Sequence, residues 1–139
     1  MKKQNIPLLL ALLLTSLAFF AHTIGGDMEL KIIQPNNGVD NWAEKQQIWT
    51  MARSGWHWIS FDLLFASILL ALVSFTKTFK QPKTVLNLLT IYFLCYAIVW
   101  FFVILISPTF PGNFLKLGQW MLLLTISGFI YFGAKKYDC

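Results

Sequence analysis

The stretch Val85–Ser107, VLNLLTIYFLCYAIVWFFVILIS, runs for 23 residues without a charged side chain. A bilayer core about 30 Å thick is crossed by roughly 20 apolar residues of helix. Three further apolar runs surround it: Ile6–Ile24, Gly55–Phe75 and Phe114–Ala134. Each meets or nearly meets that length. The sequence therefore predicts an all-α integral membrane protein, an antiparallel four-helix bundle with a short outer interfacial helix. At 139 residues the four runs and their links use the whole chain as one transmembrane domain.

Composition points the same way. Hydrophobic residues make up 57% of the chain and charged residues 12%, against roughly a quarter charged in soluble domains. The net charge of +5 is a statement about topology rather than about nucleic acid. Lys2 and Lys3 precede the first run, Lys77, Lys80 and Lys83 separate the second from the third, and Lys135 and Lys136 follow the fourth. The opposite side carries Lys31, Lys45, Arg53 and Lys116, offset by Asp27, Glu29, Asp40 and Glu44. Basic residues concentrate on the cytoplasmic side. The expected location is the bacterial plasma (inner) membrane, multi-pass, with N- and C-termini cytoplasmic.

Met1-Lys2-Lys3 before an apolar run also resembles the start of a signal peptide, and Ser16-Leu17-Ala18 is a small-x-small cleavage site. The apolar run continues to Ile24, longer than a signal core, so retention as a span is expected. Cys95 falls within the third run and Cys139 on the cytoplasmic side, with no Cys-x-x-Cys. That usage predicts no disulfide and argues against a thiol oxidoreductase.

The outer loop 25–54 is the largest piece outside the runs. Gln34-Pro35-Asn36-Asn37-Gly38 reads as a turn. Asn41 and Glu44 have capping-box spacing, which predicts a short helix from Trp42 to about Arg53. Trp42, Trp49 and Trp56 recur every seven residues on its one face. Indoles favour the headgroup level, so this helix is expected on the membrane surface; the alternative is packing on the loop's own first half. Gly25-Gly26 reads as the exit from the first helix.

Polar residues within spans are where function concentrates. Ala11, Thr15, Ala18, His22 and Gly26 fall on one face of the first helix, and His57, Ser60, Ser67, Ala71 and Ser74 on one face of the second. Small and hydroxyl residues mark close helix approaches, so both histidines are expected to point inward. One reading gives His22 and His57 a shared ligand: a divalent metal with Asp27 or Glu29 as a further ligand, or a b-type haem between two imidazoles. The other gives them hydrogen bonds across the helix interface and no ligand. Asp62 lies about 140° round the helix from His57. Its possible partners are Lys116 and Gln119; one reading of this ligand-binding candidate is a lone acid that relays protons or binds a cation, and the other is a structural hydrogen-bond acceptor.

Ala21-His22-Thr23-Ile24-Gly25-Gly26 ending the first run, Gly55-Trp56-His57 opening the second and Gln119-Trp120 in the fourth resemble an uncharacterised class of small bacterial four-span integral membrane proteins. The resemblance implies a fold and a location, and one outer-facing site formed by His22, Gly25, Gly26, Trp56 and His57. It implies no activity.

The expected function is that of a non-enzymatic accessory or binding protein with an outward-facing pocket near His22 and His57. Its expected partners are the lipid bilayer and a membrane protein, a second copy of itself included, with no nucleic acid. Two alternatives stand beside it: a membrane redox component holding haem through His22 and His57, and a small-solute transporter. The absence of an acid from the first run and of an inverted half-repeat weakens the transporter reading.

Overall fold

The structure is a computed structural model that describes residues Asn5–Tyr137. Lys2, Lys3 and Cys139, used above for topology and disulfide assignment, lie outside the described residues. The chain is all-α, 78% helical, with no strand among the described residues. Helix α1 (Ile6–Phe20) passes through one π-helical turn (Ala21–Gly25) into α2 (Gly26–Ile32). Helices α3 (Trp42–Phe75), α4 (Pro82–Leu105) and α5 (Gln119–Ala134) follow, and a 3₁₀ turn, Lys135–Tyr137, closes the described chain.

Length separates these helices. The run Ile6–Ile32 has 27 residues, α3 has 34 and α4 has 24, or about 40, 51 and 36 Å at 1.5 Å per residue. These three are long and apolar enough to cross a membrane, the only such helices among the described residues. With 16 residues, α5 rises about 24 Å, short of the ~30 Å bilayer core. The fourth helix was expected from Phe114 and begins at Gln119. Before it, successive turns carry the chain, with bonds from Phe110 N to Ser107 O (3.0 Å), Phe114 N to Pro111 O (3.1 Å) and Met121 N to Gly118 O (3.0 Å). Pro108, Pro111 and Gly112 keep that segment in turns rather than helix.

The outer segment also differs from expectation. The first helix does not exit at Gly25-Gly26: both glycines hold right-handed helical angles, φ −65° and −67°. The expected surface helix and second span are one helix, because Ala43-Glu44-Lys45-Gln46-Gln47 and Met51-Ala52-Arg53 are good helix formers and Gly55 costs only about 1 kcal/mol inside it. Only residues 33–41 remain non-helical. The expected Pro-Asn-Asn-Gly turn lies there, with Gly38 at φ 111°. Asn41 has φ 56°, a left-handed backbone rather than the extended one of a capping-box residue.

The chain forms two compact units. The first, Thr15–Ile68, is a helical hairpin. Its register is antiparallel: Leu30 meets Trp49, Asp27 meets Arg53, and His22 meets Ser60. Of the predicted small-residue faces, Thr15, Gly26, Ser60 and Ser67 are buried, and His22 and His57 are half-buried.

The second unit joins the chain up to Leu14 with the chain from Leu69 onward. Ser127 Oγ donates to Thr90 O (2.9 Å) and Trp100 Nε1 to Leu117 O (3.2 Å), which sets α4 and α5 antiparallel. Their core is apolar: Leu86, Phe93, Ala97 and Ile104 with Ile126 and Ile130. Asn5 Nδ2 donates to Gly133 O (2.9 Å) and Tyr137 Oη to Val73 O (3.4 Å). The start of α1, the ends of α3 and α5 and the start of α4 thus share one end of this unit. The segments bearing Lys77, Lys80, Lys83, Lys135 and Lys136 meet there.

Candidate functional site

The first unit carries the richest polar cluster, and α3 builds most of it. Trp49, Arg53, Trp56, His57 and Ser60 recur at steps of four, three, one and three, which places them on one helical face. Opposite them stand His22 in the π turn and Gly26, Asp27 and Lys31 on α2. A π turn widens the helix by one residue and recurs at functional positions. Here it contains His22, whose carbonyl accepts a hydrogen bond from Trp56 Nε1 at 2.8 Å. The Trp56 indole stacks on the His22 imidazole, centroids 3.9 Å apart and planes 7° from parallel. It also fills the space above Gly26, where a Cβ would come within 2.3 Å of the ring atoms Cε2 and Cζ2. Gly26 is therefore the residue that lets the two helices close on the indole.

Asp27 is the hub. Its Oδ1 accepts from Arg53 Nε at 2.7 Å and lies 3.2 Å from His57 Nε2, while its Oδ2 pairs with Lys31 Nζ at 2.9 Å. The guanidinium and then the ammonium favour the charged carboxylate by hydrogen bonding and by charge. Trp49 supports the hub twice. Its Nε1 donates to Leu30 O at 2.7 Å, and its ring lies 5.2 Å from Arg53 Cζ, a cation–π distance.

His22 and His57 both belong to this constellation, though they are not joined to each other by a hydrogen bond. His22 Nδ1 lies 3.0 Å from Ser60 Oγ, and His57 is turned onto Asp27. The nitrogen a haem iron would take from His57, Nε2, already faces Asp27 Oδ1. Among the described residues no three His, Cys, Asp or Glu side chains converge as a metal ion requires. Both Asp27 oxygens are moreover engaged by cations. Glu29 is exposed on α2, two residues beyond Asp27. Asp62 is half-buried further along α3 in the hairpin unit. Gln119, in the other unit, opens α5 with its Oε1 buried and without a hydrogen-bond partner.

Arg53, Lys31, Ser60 and Trp49 were not singled out as site residues from the sequence. Two signals were present: Asp27–Lys31 and Arg53–His57 each stand four apart, the spacing of facing side chains on a helix. The tryptophan stripe was read as interfacial. Trp49 and Trp56 instead donate to backbone carbonyls of the first helical run, so for Trp49 the alternative, packing on the loop's first half, is the observed contact.

No protein-family model, curated protein or solved structure matches the chain. The cluster's chemistry rests on its own geometry.

Proposed function

We propose that the chain is a multi-span protein of the bacterial plasma membrane, with N- and C-termini cytoplasmic. It works without catalysis, as an accessory or binding protein, through the outer end of the hairpin around His22, Asp27 and His57. Its helix surfaces support insertion. Leu13, Leu17, Phe61, Phe65, Ile68, Leu88, Ile91 and Val99 are all exposed, and such rows of large apolar side chains need an apolar solvent. The lysine asymmetry supports the orientation.

The observation that carries the binding reading is the Asp27 hub. One carboxylate faces two permanent cations and an imidazole, so positive charge is in excess. His57 nevertheless keeps 42% of its side chain exposed. Catalysis has less support. His22 and Ser60 have the spacing of a base and a nucleophile, but Ser60 is 4% exposed and closed to a substrate.

Reporter fusions test this. Fusions at Lys80 and Tyr137 should report the cytoplasm, and one at Asn37 the outside. An external reading at Lys80 overturns the arrangement. Protein purified in detergent should show no Soret absorbance; a haem band would transfer the site to the redox reading.

A further inference from the structure

We infer that the Asp27 cluster is a binding site for a phosphate group, with Arg53 as its principal ligand. The inference rests on the reading of the hairpin end as an outward binding surface, and names what that surface binds.

Charge comes first. Arg53 and Lys31 contribute two positive charges at 2.7 and 2.9 Å from Asp27, which returns one negative charge. Glu29 does not balance the excess, because two residues along a helix place it about 200° round from Asp27. The cluster attracts an anion whatever the state of His57.

Geometry narrows the anion. The five N–H bonds of a guanidinium lie in its plane. Trp49 covers a face of Arg53, and Asp27 takes its Nε–H. Among the described residues no hydrogen bond or ion pair engages the two terminal nitrogens, and 33% of the side chain is exposed. A planar fork held by its stem and its face, with its tips free, is pre-organised for two oxygens of one oxyanion. The Lys31 ammonium, on an exposed side chain, pairs with the other oxygen of the same carboxylate at 2.9 Å. Donors from Arg53 and Lys31, on facing helices, suit a tetrahedral anion with oxygens on several sides better than a planar carboxylate.

Position supplies the last element. Asp27 stands three residues beyond the apolar run ending at Ile24, and Arg53 two residues before the run starting at Gly55. This is the depth of phospholipid headgroups. The same donors would equally hold soluble phosphate at the outer surface.

The test uses the full chain, first shown by the Asn37 and Lys80 reporters to be inserted as proposed. Native mass spectrometry of the detergent-purified protein compares dioleoyl phosphatidylglycerol with dioleoylglycerol, which has the same chains and no phosphate. A second arm titrates inorganic phosphate against chloride at equal ionic strength and follows thermal unfolding. The expected result is retention of the phosphate-bearing partner in at least one arm, and the arm that responds names the source. Arg53→Lys keeps the charge and loses the fork, and should weaken binding about tenfold while leaving reporter topology unchanged. Should that variant fail to fold, Lys31→Gln, an exposed position, should weaken binding by a smaller factor. Equal retention of dioleoyl phosphatidylglycerol and dioleoylglycerol, together with no response to phosphate, overturns the site. So does unchanged affinity in a folded Arg53→Lys protein. A reversed topology would instead overturn the functional reading beneath it.

Discussion

In the hairpin unit polar contacts join the helices: a carboxylate with two partners on the facing helix, two indole N–H groups on backbone carbonyls, and a serine on an imidazole. In the unit built on α4 and α5 the contacts are mostly apolar, with leucine, isoleucine and phenylalanine side chains meeting across the interface, and hydrogen bonds between its helices, such as Ser127 Oγ to Thr90 O, join uncharged groups. Aromatic rings close its far end, where Phe101, Phe114 and Trp120 lie 5.3–6.0 Å apart. Within a bilayer, lipid tails are as apolar as leucine, so helices associate through close packing and hydrogen bonds rather than through hydrophobicity. The α4–α5 unit therefore depends chiefly on fit, with a few neutral hydrogen bonds, while the hairpin adds charged directional bonds. Directional bonds are also what a ligand can compete with or extend. The unit whose helix contacts themselves carry charge is thus the one suited to recognition.

Gly26 in the hairpin and Gly133 in the other unit are the glycines at which an added methyl collides most closely, and the pair makes the sharpest test of that contrast. At Gly26 the Cβ would meet the Trp56 ring at 2.2–2.3 Å, and the ring is fixed by its bond to His22 O and its stack on the imidazole. At Gly133 it would meet Leu8 Cδ2 and Cγ at 2.4 and 2.5 Å, atoms of a side chain with other rotamers. Gly26→Ala should cost about 1–3 kcal/mol, the range for overpacking a site that cannot yield. Gly133→Ala should cost less. Unfolding in detergent, followed by tryptophan fluorescence, measures both. Equal losses would mean that the indole is no more rigid than the leucine.

Trp56→Phe comes next. It keeps a ring over His22 and removes the N–H donor, leaving the His22 carbonyl without this partner. A loss of about 1 kcal/mol is expected, the net worth of a typical hydrogen bond. No loss would show that stacking alone closes the hairpin.

Much of this fold was legible from apolar run length, because membrane helices declare themselves by composition. The helix ends were legible only in part. The Asn41–Glu44 spacing marks a start at Trp42, where α3 begins, whereas the stop at Gly25-Gly26 and the end near Arg53 were overridden. The glycines serve close approach to Trp56, and the segment from Trp42 to Arg53 has nothing to stop it joining the helix beyond. The site was half legible. His22, His57 and Asp27 could be picked out as polar residues near span ends. Arg53 as the partner of Asp27 depended on the pairing register of two helices, which neither helix encodes alone. The fourth helix was overestimated because Phe114, Leu115 and Leu117 are apolar whether they lie in a helix or in the turns that actually hold them.

The two histidines test whether the polar unit acts as one site. They bond to different partners, Ser60 and Asp27, while the stack of Trp56 on His22 links the two arms. If phosphate binds at the Asp27 hub, His57→Ala should weaken phosphate retention several-fold and His22→Ala much less. Equal loss from both would restore the shared-ligand reading.

The smallest expected effect isolates what a bond between helices contributes against one within a helix. Ser60 and Ser67 lie on the same face of α3, with 4% and 7% exposure, so burial and residue type are nearly matched. Ser60 Oγ reaches His22 Nδ1 on the facing helix at 3.0 Å, and also turns back to Trp56 O of its own helix at a longer 3.4 Å. Ser67 Oγ turns back to Leu63 O of its own helix at 2.9 Å, a carbonyl that already serves the helix ladder. Ser60→Ala removes a bond between elements and leaves a half-buried imidazole nitrogen without it, which should cost about 1 kcal/mol. Ser67→Ala removes a bond that competes with helix geometry and should change stability by less than about 0.5 kcal/mol. Chemical denaturation of the two variants side by side reads the difference directly. If Ser67→Ala proves the costlier change, the interhelical bond at His22 is not what holds the hairpin, and the work falls to Asp27 and the indoles.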